Sequence, residues 1–175
     1  GVTMRDIAGR AGISHGTLHY HYPSKIELLH ALLNEIDDIF NVGRAEKLAR
    51  QNLNPSAGLR EFLQQEEKLL REQRFVVEAF IDFWGHGHKD SEILNRIQSM
   101  YRKWRLDIEA VLSDGIKRGE FDPQVAPLVP GIMVSLMEGA TLQYLINEEA
   151  FDLGAYFNQA YEMIIHMLVE TPIQR

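Results

Sequence analysis

The chain has 175 residues, 45% of them hydrophobic and 25% charged, which is long enough to bury a core without covalent staples. With no Cys it has no disulfide, no thiolate metal site and no cysteine nucleophile, a usage that suits a reducing compartment, with the cytosol the expected location. The formal charge of -7 argues against a nucleic-acid partner, yet residues 1–25 hold Arg5, Arg10 and Lys25 against Asp6 alone, so a mildly basic end precedes an acidic body.

Apolar residues recur at three- and four-residue spacing and strand signals are poor, so the expected fold is all-α. The first helix opens at Thr3, with Asp6 completing a Thr-x-x-Asp capping box, and its apolar face is Met4, Ile7, Ala8 and Ala11. Gly12 ends it. Ser14 caps a second, short helix, and Ile13 can staple onto Leu18. Pro23 stops that helix at Tyr22. Ser24 and Glu27 form another box, which opens a long helix through Leu29, Leu33, Ile36 and Phe40 to about Arg50.

After the loop NLNPSAG, five more helical stretches are expected at about 56–73, 75–87, 90–118, 124–148 and 152–169. Asp90-Ser91, Asp122-Pro123 and Asp152 supply starts, and Gly119 a stop. Pro127 and Pro130 confine regular helix to the later part of its stretch, or kink it early. The longest apolar runs, such as LVPGIMVSLM, fall short of the roughly 20 residues of a membrane span, and no basic segment leads into an apolar one at the start. Neither a membrane partner nor export is expected.

Gly12-Ile13-Ser14-His15-Gly16 matches the G-x-S-x-G elbow that presents a hydrolase serine. An elbow needs a buried strand feeding the serine, whereas TMRDIAGRA places its apolar residues at helical spacing with charges opposite. The segment therefore reads as a helix-turn-helix, whose second helix can lie in the major groove of DNA. Leu18 and Tyr22 face inward. His15, Thr17, His19 and Tyr20 face away toward bases and phosphates, and Lys25 adds a phosphate contact.

TMRDIAGRAGISHGTLHYHYPSKIELLHALL resembles the DNA-binding signature of the TetR-type transcriptional regulators. The resemblance implies base or phosphate contacts from His15, Gly16, Thr17, His19 and Tyr20, with Thr3, Ser14, His21 and Lys25 anchoring the DNA backbone. His19 departs from the family, which usually has Tyr there. The family also implies one more helix ahead of Gly1, and with no initiator Met the chain is expected to begin after a missing or disordered segment. Further on, Trp84, Gly119-Glu120-Phe121 and Glu138-Gly139 are similar to landmarks of the BetI-like C-terminal domain, which implies an effector-binding and dimerisation body. The expected division is a headpiece at 1–45 and a body at 46–175.

Other chemistry is weaker. His15 and His19 have zinc-compatible spacing but no intervening Glu as in H-E-x-x-H, and His86 with His88 lacks a third ligand nearby, so neither a metal nor a cofactor is expected. Glu78, Phe80, Asp82, Phe83, Trp84, Tyr101 and Trp104 are candidates to line an effector pocket, although aromatics at this spacing are commonly plain core. An acidic residue among aromatics suits a cationic ligand. In the last two helices Ile132, Leu136, Met137, Ala140 and Tyr144, with Leu153, Tyr156, Phe157, Ala160, Ile164 and Leu168, either cap their own core or form a four-helix seam with a second copy. The seam is expected, because a two-fold dimer doubles the DNA site.

The sequence thus predicts a homodimeric, ligand-responsive regulator of double-stranded DNA, a repressor released from a palindromic operator by a small-molecule effector, and not an enzyme. The alternative is a small helical ligand-binding protein or enzyme with no DNA partner.

Overall fold

The computed structural model describes residues 2–41, 54–87 and 89–169, and every regular element among them is helical. Helix α1 (Met4–Arg10) begins at the Thr3 box: the Asp6 amide donates to Thr3 Oγ1 (3.2 Å) and the Thr3 amide donates to Asp6 Oδ2 (2.8 Å). Hydrogen bonds from Thr3, the side-chain one first, hold the Asp6 carboxyl below its ordinary pKa. Gly12 turns the chain at a φ of 69°, and the Ile13 amide reaches back to the Ala8 carbonyl (3.1 Å), a left-handed C-terminal cap that a side chain would strain. Helix α2 (His15–His21) starts on Ser14, whose Oγ accepts from the Thr17 amide at 3.0 Å. Helix α3 (Lys25–Asn41) follows Ser24, which caps the Glu27 amide. Its expected continuation to Arg50, and the domain boundary near 45, lie outside the described residues.

The body comprises α4 (Pro55–Glu72), α5 (Arg74–Gly87), α6 (Ser91–Lys117), α7 (Val129–Ile146) and α8 (Leu153–Val169), each within a few residues of its expected stretch. Pro127 and Pro130 fall in the first turns of a 3₁₀ turn (Ala126–Leu128) and of α7, where a missing N–H leaves no gap in the ladder. Together these two elements form a 21-residue run that is apolar and long enough to cross a membrane, longer than the sequence runs indicated. It packs instead against α4, α6 and α8, with Val129, Met133, Val134, Met137 and Ala140 buried.

Helix α6 is the axis of the body and touches α3, α4, α5 and α7. Leu33, Ile36 and Phe40 of α3 join the same buried cluster as Phe62, Phe80, Met100 and Ile164, so the latter half of α3 is packed as part of the body. At the end of α6, Gly119 (φ 73°) reverses the chain and lays Phe121 across Gly115. A Cβ on Gly115 would sit 2.1 Å from the Phe121 ring, which is why the smallest residue stands there.

Candidate nucleic-acid interface and ligand cavity

The two short helices hold each other through Ala8 and Leu18, both buried, and present almost everything else outward. Tyr20 is 84% exposed, and Thr3, Ser14, His15, Gly16, Thr17, His19, His21 and Lys25 are all exposed too. The His15 and His19 rings meet edge to face at 5.8 Å, as do Tyr20 and His21 at 5.2 Å, so the outer face carries a ridge of aromatic and imidazole edges. Ser14 Oγ and Thr17 Oγ1 share a hydrogen at 2.8 Å, and Lys25 Nζ donates to the Val2 carbonyl, tying the start of α3 to the entrance of α1. Gly16 has no packing reason to be glycine: a Cβ there would meet only Ser14 Oγ, at 3.7 Å. Space at Gly16 is open toward whatever meets the ridge.

A second feature lies inside the body, a cavity enclosing about 500 Å³ between α3, α4, α5, α6 and α7. Its walls include Phe40, Phe80, Trp84, Tyr101 and Trp104, whose rings lie within 6.4 Å of one another along the chain Phe40, Phe80, Trp84 and Tyr101. Two carboxylates open into it, Glu66 from α4 and Glu138 from α7. The Thr141 hydroxyl donates to Glu66 Oε1 at 2.9 Å. Glu138 Oε1 is buried with no hydrogen-bond partner, as are Trp84 Nε1 and Trp104 Nε1. Burial first, and the neighbouring Glu66 second, push the Glu138 carboxyl up to about 7.

Four of the seven residues expected at a pocket line this one: Phe80, Trp84, Tyr101 and Trp104. The other three are corrected. Glu78 is exposed and pairs with Arg74 (2.7 Å), Asp82 is exposed on the opposite side of α5, and Phe83 is buried in the core away from the cavity. The acidic groups come from other helices. Glu138 carried a signal, being the one charged residue in an otherwise uncharged α7, while nothing local pointed to Glu66.

The helix faces expected at a seam also need correction. Met137, Ala140, Leu153, Phe157, Ala160, Ile164 and Leu168 are buried in the chain's own core. Leu136, Tyr144 and Tyr156 pack against that core, and the Tyr156 hydroxyl donates to the Leu136 carbonyl (3.2 Å). Only Ile132 of that set stays off the core cluster. The strongest apolar stripe of each helix turned inward, as burial of apolar area demands. A different surface faces out: Gly131, Ile132, Ser135 and Gly139 on α7, and Ala155, Gln159, Met163, His166 and Val169 on α8. A Cβ on Gly131 or Gly139 would meet nothing within 4 Å.

Of the histidine pairs, His86 Nδ1 lies 3.0 Å from the Asp82 carbonyl and His88 is outside the described residues; no group of three His, Asp or Glu at metal-holding distance occurs among those described.

An exposed helix-turn-helix joined by one helix to a body with an internal cavity defines the class of one-component regulators, in which DNA reading and ligand sensing share a chain. Residues 1–32 match the family model of the bacterial regulatory proteins of the tetR family, and residues 55–169 match that of the BetI-type transcriptional repressor C-terminal domain. The chain belongs to the TetR family, with a BetI-type C-terminal domain. It is 27% identical over 128 residues to the HTH-type transcriptional repressor KstR2 of Rhodococcus jostii, a match spanning 71% of this chain and 62% of that repressor's length. Two solved structures share the fold at a TM-score of 0.81. One is a TetR transcription regulator from Haloarcula marismortui (22% identical, covering 95% of this chain and 87% of that one). The other is a putative transcriptional regulator from Saccharomonospora viridis in complex with choline (24% identical, covering 97% and 88%).

Proposed function

We propose that the chain is a homodimeric repressor that binds a palindromic DNA site through α2 and leaves it when a small organic cation occupies the body cavity. In this reading His15, Gly16, Thr17, His19 and Tyr20 meet base edges and phosphates, while Thr3, Ser14, His21 and Lys25 hold the DNA backbone, in the cytoplasm where the DNA is. The observation that carries it is the placement of α3: it starts at Lys25, beside the recognition helix, and its Phe40 forms part of the cavity wall. Fifteen residues separate the two, about 22 Å of helix, so a tilt of a few degrees at the cavity moves the DNA-reading end by about 2 Å. Two recognition helices engage one duplex only when spaced about 34 Å or a multiple, so a ligand that prefers another spacing must weaken DNA binding by its differential affinity.

The headpiece has a further grip on the body. His30 of α3 lies between Asp90 (3.4 Å) and Glu92 (3.3 Å) at the start of α6, and Arg96 bridges Glu92 and Asn34. Five aromatic rings with two carboxylates, and no basic side chain among the described residues of the lining, favour a cation by charge and by cation–π attraction. The outward stripe of Gly131, Ser135 and Gly139 suits close helix contact with a second copy. The test is a gel shift with fragments flanking the chain's own gene, with and without a panel of quaternary ammonium compounds. Tyr20→Ala and Lys25→Ala should each weaken binding about tenfold or more. Equal binding by all three proteins would remove α2 from the role given to it.

A further inference from the structure

The cavity's charge inventory is lopsided, and this has a chemical consequence if the cavity is the cation site proposed for it. Its titratable lining groups are Glu66 on α4, Tyr101 on α6 and Glu138 on α7; α3 and α5 contribute only apolar and aromatic side chains, and among the described residues no Lys, Arg or His lines it. Two carboxylates in one aromatic-walled space without a basic partner do not both ionise readily, because each disfavours the charge of the other. Glu66 has the Thr141 hydroxyl to stabilise its anion, whereas the buried Glu138 Oε1 has nothing. The proton therefore belongs chiefly to Glu138.

We propose that the empty cavity holds one proton on the Glu66 and Glu138 pair, that an organic monocation enters in exchange for that proton, and that zwitterions of the same shape are rejected. The exchange leaves the charge of the occupied cavity equal to that of the empty one: the proton leaves to solvent and the ligand's positive charge takes its place between the two carboxylates. A zwitterion brings no net charge to replace the proton. Its own carboxylate would face Glu66 and Glu138 with no basic group to receive it, and burying an unpaired anion is costly. The half-buried position of Glu138 agrees with a carboxyl that changes state near neutral pH, raised to about 7 by burial and by Glu66. Below that pH, proton and ligand compete one for one, so the apparent affinity for the cation falls about tenfold per pH unit. The regulator then answers its effector at neutral and alkaline pH and is deaf to it in acid.

The experiment uses the whole chain, with tetramethylammonium and choline as monocations and trimethylglycine as the zwitterion. Titration calorimetry in phosphate and in Tris, at pH 6, 7 and 8, counts protons released. Fluorescence reports occupancy at the cavity itself, since the chain's two tryptophans, Trp84 and Trp104, both line it. Expected are close to one proton released per cation at pH 6 and close to none at pH 8, a Kd for choline about tenfold weaker at pH 6 than at 7, and trimethylglycine at least about 100-fold weaker than choline at pH 8. Glu138→Gln should abolish the release and flatten the pH dependence. Cation binding with no proton release and a pH-independent Kd overturns the exchange while leaving the cation site intact. Tight binding of trimethylglycine overturns the charge selectivity. Failure of both monocations to perturb the tryptophans at pH 8 overturns the cation reading itself and this inference with it.

Discussion

Replacing Glu138 by Gln should make the ligand-free protein more stable at pH 8 while leaving it almost unchanged at pH 5. The carboxyl titrates near 4.5 in an unfolded chain and near 7 in the cavity, so between those values the folded state holds more protons than the unfolded one. Stability of the wild type therefore falls as pH climbs through that window and levels off above about 7. A shift of this size corresponds to roughly 3 kcal/mol at about 1.4 kcal/mol per unit. Glu138 is only half-buried and solvent screens part of the penalty, so a realistic gain for the amide is about 1–2 kcal/mol. For a chain of this length that is a rise in Tm of about 3–6 °C. Thermal melts by circular dichroism at pH 5 and pH 8 measure the difference directly. Equal Tm shifts at both pH values, or a loss at pH 8, would show that Glu138 is not strained by its surroundings, and the account of the cavity would fail.

Gly16→Ala should raise the stability of α2 by up to about 1 kcal/mol, because a Cβ there meets no obstacle, yet cut DNA affinity in a gel shift if a base or phosphate approaches that backbone. Gly115→Ala should cost about 1–3 kcal/mol in urea melts, since the new methyl overlaps the Phe121 ring and α6 cannot move aside without disturbing α7. Ser135→Arg, on the outward face of α7, should convert dimer to monomer in gel filtration at micromolar concentration without lowering the helical signal; an unchanged elution volume would move the seam elsewhere. Phe40→Leu should leave operator binding largely intact while reducing its response to cations several-fold, at a stability cost of about 1 kcal/mol or slightly more.

The headpiece was legible because its determinants are local. Thr3, Ser14 and Ser24 cap the helix that follows each of them, Gly12 and Pro23 end the ones before, and the turn between α1 and α2 leaves one face free, all within hydrogen bonds three to five residues long. Helix ends in the body were legible for the same reason. The cavity was legible only where it reused a run of aromatics on α5 and α6. Its charges come from α4 and α7, far apart in the chain, and no spacing rule joins Glu66 to Glu138. The outward face was misjudged for a physical reason as well. Helix α7 is apolar on all sides, so pattern alone cannot say which side meets its own core, and on α8 the side that looked most like an interface was the one the monomer needed for itself.

These placements give α7 a double position. Glu138 looks into the cavity while the adjacent Gly139 lies on the face offered to a second copy, so a ligand that draws Glu138 toward its charge also pulls on the backbone beneath the seam. On the other side of the same cavity, Phe40 passes the disturbance to α3 and thence to Lys25. Subunit spacing and headpiece tilt are thus biased from one site. A regulator needs only a few kcal/mol of differential affinity between two such arrangements to change DNA occupancy by one or two orders of magnitude. The folding free energy lost to a poorly solvated Glu138 is of that order, and a cation bound beside it recovers that energy only in the arrangement where the carboxylate can reach it.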